Sequence, residues 1–206
     1  MRPLRNIGIR RATREDLQAI SALANSATWA LCAPDYTPRQ VESILRFSLA
    51  DNSQLIDDRT YFIIENGGEI VAAGGWSYRA ALTANDCGDA ADPHDIVDPA
   101  NGAARLRGFF VHPHFARRGL ARTLVALCER AAANAGYSHL ELLTTATGRR
   151  LYLACGFADI EWITQIYPTG VSVVSHRMGK AIEPIPGAVA SARKPASVTW
   201  FPVSIN

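Results

Sequence analysis

The sequence predicts an α+β fold in which helices flank a mixed, largely antiparallel sheet of about seven strands. Short runs rich in β-branched and aromatic residues alternate with longer runs of helical periodicity. Two of the β-rich runs are separated by Asn66-Gly67-Gly68, which is typical of an antiparallel hairpin. The chain has 206 residues, of which 48% are hydrophobic, and this is enough for the core of one domain.

The N-terminal part is predicted to hold one strand and two helices. Ile7–Ala12 is the strand, and Thr13 with Asp16 three residues later forms a capping box for the first helix. The second helix begins at Thr37, because the proline that follows suits the first helical position. Residues at helical spacing mark the buried faces of both helices: Leu17, Ile20, Ala24, Ala27, Val41, Ile44, Leu45, Ser48 and Leu49.

The middle of the chain is predicted to form three strands and one insertion. Thr60–Glu65 and Glu69–Tyr78 are the hairpin strands, Ala80–Ala103 is an irregular insertion, and Arg105–Val111 is the next strand. The spacing of aspartates in the insertion is not that of an EF-hand. It fits a solvated loop with turn-forming aspartates, or an acidic flap that attracts a cationic amine. These aspartates recur every third residue: Asp86, Asp89, Asp92, Asp95 and Asp98.

The C-terminal half is predicted to add two helices and three strands before a tail. We expect residues 1–180 to form the domain, and residues 181–206, which include four prolines, to form an extended tail. The tail carries one apolar patch, Val198–Val203, which could dock on its own domain or on a second subunit, so a homodimer is one expectation. The predicted elements are helices at Arg117–Ala135 and Thr147–Cys155, and strands at His139–Thr145, Ala158–Ile163 and Val171–Met178.

Composition and charge disfavour several classes of protein. The balance of 21 Lys+Arg against 19 Asp+Glu argues against nucleic-acid binding and against a polybasic membrane anchor. No apolar run approaches the roughly 18 residues of a membrane span, and Met1–Arg14 lacks the apolar run of a signal peptide. The four cysteines form no C-x-x-C pair, which favours a reducing, cytoplasmic location. The five histidines show no zinc-enzyme spacing, so no metal is expected.

The strongest chemical signal follows the strand that ends at Val111. Pro113 interrupts that strand and a helix starts within a few residues, so Ala116–Ala121 lies at a helix N-terminus. Backbone amides there lack helical partners and the helix dipole adds positive charge, which suits phosphate. Gly119 allows close approach of a ligand. On physical grounds alone, a solvated helix start is an equal alternative. Three cationic side chains lie in or beside this turn: Arg117, Arg118 and Arg122.

The same residues resemble a known family. Ala116-Arg-Arg-Gly119-Leu-Ala121, preceded by Val111-His-Pro113, is similar to motif A (Q/R-x-x-G-x-G/A) of the GNAT superfamily of acetyl-CoA-dependent N-acetyltransferases. Ala116 departs from the usual Gln or Arg. Leu151-Tyr152-Leu-Ala-Cys-Gly156-Phe157 resembles a second motif of that family, L-Y-x-x-x-G-F. The resemblance extends over about Ile7 to Lys180 and implies the GNAT-like acyl-CoA acyltransferase fold, with acetyl-CoA as co-substrate.

The resemblance also implies roles for single residues. The pantetheine arm of the co-substrate would pair like an added strand with the backbone of Phe109, Phe110 and Val111. Tyr152 matches the family tyrosine proposed as general acid, because a phenol with a pKa of about 10 is protonated at neutral pH. Packing beneath the sheet is the alternative for Tyr152. The residues expected at the pyrophosphate are Arg117, Arg118, Gly119, Leu120, Ala121 and Arg122.

The general base and the acceptor stay open. Many family members carry a Glu in the strand before motif A, whereas Arg105–Val111 has no carboxylate. Glu141, His112, Asp95 or a chain of water molecules are the alternatives, and a backbone amide near Phe110 is the expected oxyanion donor. The resemblance implies an acceptor pocket at about Trp29–Gln40 and Thr164–Gly170, where Trp29, Tyr36 and Tyr167 could line the pocket or simply pack.

The predicted activity is therefore acetyl transfer to a primary amine of a small molecule, peptide or protein, by direct attack of the amine on the thioester. A non-catalytic acyl-CoA-binding sensor or regulatory module is the alternative, because the strand carboxylate is missing. A third reading is a phosphate-binding domain unrelated to acyl transfer. The function of the aspartate-rich loop at residues 86–98 stays open.

Overall fold

The computed structural model describes residues 3–48, 52–80 and 95–183, and this part of the chain forms five α-helices and seven strands. The helices are α1 (Leu17–Cys32), α2 (Pro38–Ser43), α3 (Ser53–Asp57), α4 (Leu120–Asn134) and α5 (Ala146–Leu153). The strands are β1 (Ile7–Arg11), β2 (Tyr61–Asn66), β3 (Glu69–Ser77), β4 (Ala104–Val111), β5 (His139–Thr145), β6 (Ala158–Ile166) and β7 (Ser172–Ala181).

The seven strands form one sheet in the order β1-β2-β3-β4-β5-β7-β6. Every neighbouring pair is antiparallel except β4 and β5, which are parallel. A parallel pair needs a crossover connection, and α4 supplies it. The predicted α+β class with a mixed, largely antiparallel seven-stranded sheet is confirmed.

The local signals of the sequence lie where they were expected. Gly67 and Gly68 connect β2 to β3, and both have positive φ (61° and 86°), as a tight two-residue hairpin turn requires. Thr13 forms a capping box with Asp16, and Thr37 forms one with Gln40. These short-range hydrogen bonds fix the entry of the chain into α1 and α2.

Three details differ from the sequence prediction. Helix α4 begins at Leu120 and not at Arg117, because Arg117 (φ 64°) and Gly119 (φ 85°) both have left-handed backbone conformations. Helix α3 was not predicted, since five residues are too few to show a helical period. Helix α2 ends at Ser43 and continues as a π-helical turn over Ile44–Ser48.

Helices cover the two faces of the sheet unequally. On one face, α4 packs Leu124, Val125 and Cys128 against the sheet, and α5 adds Tyr152. On the other face, α1 packs Ile20 and further apolar residues against β2, β3 and β4. The face of β5, β7 and β6 on the α1 side carries charged side chains, which are described below.

Parts of the predicted organisation lie outside the described residues. Asp86, Asp89 and Asp92 lie there, as do residues 184–206 of the predicted tail, so the boundary at residue 180 stays a prediction. Asp98 is described, and its carboxylate accepts hydrogen bonds from the Ala100 amide and the Asn101 side chain, which fits a turn-forming aspartate. No helix of the described ranges is long and apolar enough to cross a membrane.

Candidate active site

The centre of the sheet contains a wedge-shaped gap, which we call the β4–β5 opening. In the described structure, β4 pairs with β5 only at their starts, where Ala104 lies opposite Leu140 and Arg105 opposite Glu141. Beyond these two pairs the strands diverge, although β4 continues to Val111. Backbone groups in the later part of β4 are therefore directed towards a gap instead of towards a neighbouring strand.

A β-bulge in β4 lies beside this opening. Ala73 is opposite Phe110 and Gly75 is opposite Arg107, so Gly74 alone faces both Gly108 and Phe109. Gly108 has φ 67°, and a Cβ there would lie 2.6 Å from Asn52 Oδ1. The Tyr61 hydroxyl donates a hydrogen bond of 2.5 Å to the Gly108 carbonyl. The bulge is thus fixed by close packing from β2 and by a buried hydrogen bond.

Phe109, Phe110 and Val111 alternate between the two faces of the sheet. Phe109 lies over Gly74, where a Cβ would come within 2.8 Å of its ring, and packs on the α4 side, as does Val111. Phe110 is 7% exposed and packs on the α1 side. Core packing therefore accounts for these side chains, and the predicted contact with a co-substrate falls to their backbone.

The turn before α4 presents free backbone amides. Ala116 is extended, Arg117 and Gly119 are left-handed, and Gly119 is the N-cap of α4. The first helical hydrogen bond runs from the Thr123 amide to the Gly119 carbonyl (3.0 Å), so the preceding amides lack helical partners. A Cβ on Gly119 would meet nothing within 4 Å. The turn therefore offers an accessible site for an anion.

The cationic side chains beside this turn add charge to it. Arg117, Arg118 and Arg122 have no ion-pair partner within the described ranges. Arg118 stacks near Phe115, with the guanidinium carbon 5.7 Å from the ring centroid, and its buried Nε has no hydrogen-bond partner among the described residues. Three guanidinium groups beside a turn with free amides suit a polyphosphate ligand.

Leu120 and Ala121 serve this turn differently from the arginines. The Leu120 side chain is 1% exposed and belongs to the core between α4 and β3. It anchors the first residue of α4, and only its backbone amide is available to a ligand. Ala121 is half-buried, and its small side chain leaves room beside the amides. The two residues thus act through backbone position and not through side-chain chemistry.

Tyr152 lies on α5, on the α4 side of the sheet. Its ring meets Phe109 edge to face, with centroids 6.0 Å apart, and meets Phe157 at 5.7 Å. Burial raises the pKa of Tyr152 above its ordinary value, so the phenol is protonated at neutral pH. No hydrogen-bond partner of the hydroxyl occurs among the described residues. Tyr152 is thus a core residue with a protonated phenol, and its ring packs against Phe109 beside the bulge of β4.

The candidate bases predicted from sequence are poorly placed for that role. Glu141 accepts hydrogen bonds from Arg105 and Arg177, and Arg177 also pairs with Glu161 at 2.8 Å. These four side chains form a charge ladder across β4, β5, β7 and β6. The Glu141 carboxylate is thus held between two guanidinium groups and is already engaged in ion pairs.

His112 and Asp95 lie at opposite ends of β4. His112 follows the strand, accepts a hydrogen bond from the His114 amide at Nδ1 and packs against Phe115. Asp95 precedes the strand, and its carbonyl accepts from the Ala80 amide. Neither residue lies beside the bulge. Of the general bases considered from the sequence, this leaves a chain of water molecules.

Residues 33–37, between α1 and α2, lie at the end of β5, which borders the β4–β5 opening; we call this segment and the turn before α4 the two rims of the opening. The Tyr36 hydroxyl accepts a hydrogen bond of 2.7 Å from the Ala146 amide and donates one of 3.2 Å to the Val174 carbonyl. Thr147 donates a hydrogen bond of 2.6 Å to Asp35. These contacts hold the α1–α2 connection across the end of β5. Their sequence separations exceed 100 residues, so no local pattern could have indicated them.

Two other residues considered for the acceptor pocket lie apart from each other. Trp29 is 41% exposed on α1, whereas Tyr167 is 7% exposed and stacks on Phe47. Tyr36 packs against the same cluster as Tyr167. The structure thus brings Tyr36 and Tyr167 together. In the described ranges no group of three His, Cys, Asp or Glu side chains is arranged to hold a metal.

Comparison with known proteins supports the assignment of the fold. Residues 23–157 match the family model described as Acetyltransferase (GNAT) family. A GCN5-related N-acetyltransferase from Rhodopseudomonas palustris is 17% identical, with a TM-score of 0.64 over 88% of this chain and 99% of that one. None of the curated proteins compared matches the sequence.

Two further structures share the fold. The paia N-acetyltransferase from Thermoplasma acidophilum, solved in complex with coenzyme A, is 14% identical, with a TM-score of 0.57 over 86% of this chain and 99% of that one. The ribosomal-protein-S18-alanine N-acetyltransferase from Escherichia coli is 18% identical, with a TM-score of 0.55 over 89% and 98%. The family model covers more than half of the chain, and the chain belongs to the GNAT family of acetyltransferases.

Proposed function

We propose that this protein transfers the acetyl group of acetyl-CoA to a primary amine. The observation that carries the proposal is the β4–β5 opening, which leads to the amide-rich turn at Gly119. An extended acyl-pantetheine chain needs a strand with free backbone groups, and its pyrophosphate needs an anion site at the end of that strand. Both features occur here in sequence, on β4 and the start of α4.

Different groups would bind the two parts of the co-substrate. The backbone of Phe109, Phe110 and Val111 would pair with the pantetheine arm. The pyrophosphate would be held by backbone amides of the turn that contains Gly119, Leu120 and Ala121, and by the side chains of Arg117, Arg118 and Arg122.

Tyr152 would act as the general acid. As the amine nitrogen bonds to the carbonyl carbon, the carbon–sulfur bond breaks, and the departing thiolate takes a proton from the Tyr152 hydroxyl. Burial raises the pKa of Tyr152, which keeps that proton in place at neutral pH. Water would carry the proton away from the amine, since Glu141 is held by two arginines.

The choice of an amine acceptor is supported by the fold's relatives. Two solved proteins of this fold are by name a ribosomal-protein alanine N-acetyltransferase and a paia N-acetyltransferase. The acceptor here is taken as a small-molecule or peptide amine. The predicted cytoplasmic location, the absence of a metal, of nucleic acid and of a membrane partner, and the homodimer all stay predictions.

A free-thiol assay with acetyl-CoA and a panel of amines tests the proposal, with Tyr152→Phe as the variant. We expect the substitution to lower kcat about 100-fold while the KM for acetyl-CoA changes less than about threefold, because an acid acts only in the transition state. Leu153→Ala, a neighbouring exposed position on α5, is the control.

The same assay separates the proposal from the non-catalytic alternative. Tight binding of coenzyme A without thiol release from any amine would favour a sensor or regulatory module. Failure of acetyl-CoA to raise the melting temperature would remove the binding site itself, because a ligand of the native state must stabilise it.

A further inference from the structure

A cavity of about 290 Å³ lies between α2 with its π-helical turn and the connection from β6 to β7. Ser43 of α2 and Thr169 of the connection, whose hydroxyls are 3.3 Å apart, join its two walls. The Gln40 side chain donates a further hydrogen bond of 2.9 Å to the Ser172 carbonyl. The cavity is thus a built feature with two tied walls, and its volume approaches the lower end for small-ligand sites.

Positive charge dominates the helical wall of this cavity. Arg39, Glu42 and Arg46 line it, and their spacing of three and four residues places them on one face. None of the three forms an ion pair within the described part of the chain. Arg46 lies over the Phe47 ring at 5.3 Å, which orients its guanidinium. The wall therefore carries one net positive charge.

A cluster of aromatic side chains lies between this cavity and the end of β5. Phe47 lines the cavity and stacks on Tyr167, with ring centroids 5.5 Å apart. Tyr36 packs against the same cluster, and its hydroxyl binds the amide of Ala146, the first residue of α5. The cavity with Arg39 and Arg46 is therefore linked to the end of β5 through one cluster of packed side chains.

We propose that the acceptor carries an anionic group, such as a carboxylate, away from its reacting amine, and that Arg39 and Arg46 bind that group. The inference rests on the proposed function, since it assigns the acceptor of that same site. Guanidinium groups bind carboxylates through paired hydrogen bonds, and the remote contact would orient the amine towards the thioester. Glu42 would act against anionic acceptors and limit the affinity.

Binding of short peptides to the protein saturated with free coenzyme A tests this directly, because no transfer takes place. The probes are alanine tetrapeptide amides with Asp at the second, third or fourth position, each matched by its Asn counterpart. We expect the Asp peptide to bind about threefold to tenfold more tightly at one position, with the advantage shrinking at high salt. Calorimetric titration measures both affinities.

Three variants complete the test. The double variant Arg39→Gln with Arg46→Gln should abolish the advantage of Asp, Glu42→Gln should enlarge it, and Arg130→Gln, exposed on α4, should leave it unchanged. Equal affinities for Asp and Asn peptides at every position, including no binding of either, would overturn the inference. So would an advantage that survives in the double variant. Loss of the proposed function would show separately, as failure to bind coenzyme A.

Discussion

The two rims of the β4–β5 opening are built in different ways. The rim at α4 comes from one continuous stretch, residues 116–122, and offers backbone amides. The rim at residues 33–37 depends on side-chain contacts between distant segments, such as Tyr36 with Ala146 and Val174. A site made from one local stretch keeps its geometry when distant segments of the chain change. A site made from long-range contacts changes whenever one of its segments changes.

The arginines that follow β4 also differ in ion pairing from those in the sheet. Arg117, Arg118 and Arg122 have no ion-pair partner in the described ranges, whereas Arg105 and Arg177 pair with Glu141 and Glu161. In the sequence Arg105, Arg117, Arg118 and Arg122 lie in one stretch without acidic residues, but the fold separates Arg105 from the other three. The positive charge of Arg117, Arg118 and Arg122 therefore lies after the end of β4, away from the ion pair at its start.

The largest expected effect is at the α4 rim, in Gly119→Glu. The side chain enters open space but places a negative charge in the anion site, so we expect coenzyme A affinity to fall at least 100-fold. Gly119→Ala carries the same strain of a left-handed residue, about 1 kcal/mol, without the charge. Calorimetry and melting curves measure both variants.

Similar affinities for these two variants would contradict the electrostatic account of the turn. If Gly119→Ala alone removed binding, backbone conformation would be the dominant factor. Retained affinity in Gly119→Glu would place the phosphate elsewhere and remove the distinction between the two rims.

A smaller effect is expected from substituting Arg122 or Arg105, which lie in the same stretch without acidic residues. Arg122→Gln should weaken coenzyme A binding about threefold to tenfold, and less so at high salt. Arg105→Gln should leave that affinity within about twofold but lower the free energy of unfolding by about 1–3 kcal/mol, because Glu141 loses one of its partners. Calorimetry and chemical denaturation give the two values. An affinity loss in Arg105→Gln would show that the co-substrate reaches the start of β4.

The smallest expected effect is at the other rim, in Tyr36→Phe. The ring stays, but the Ala146 amide loses its acceptor and the Val174 carbonyl its donor, so unfolding should become easier by about 1 kcal/mol. We expect the KM for the amine to rise severalfold with coenzyme A affinity unchanged. Steady-state kinetics measures the KM for the amine, and calorimetry measures the affinity for coenzyme A. Equal losses for both ligands would mean that the two rims are not independent.

Local chemistry explains which features could be predicted. The hairpin at Gly67-Gly68, the capping residues Thr13 and Thr37, and the turn at Gly119 are each set by a few neighbouring residues. The strands of the sheet followed from short runs rich in β-branched and aromatic residues and from the turn signals between them. The left-handed conformation of Arg117 was not visible, because a non-glycine residue adopts it only when its surroundings impose it.

Long-range contacts explain what was missed. Glu141 was a candidate base by its residue type, and only the pairing of β4 with β5 shows that Arg105 lies opposite it. The bulge at Gly108 likewise depends on register with β3, which sequence does not specify. The cavity beside α2 requires the β6–β7 connection to fold back onto it. Each case needs two segments more than 30 residues apart.

The two residue pairs that join β4 to β5 also have a mechanical consequence. A continuous hydrogen-bonded ladder spreads strain over a whole sheet, whereas here the ladder through the centre has two rungs, at Ala104 and Arg105. These two residue pairs therefore act as a short hinge between two parts of the sheet, one formed by β1–β4 and the other by β5, β7 and β6. A small rotation at that hinge is magnified along six further residues of β4, at about 3.3 Å each, into a larger change of gap width beside Val111.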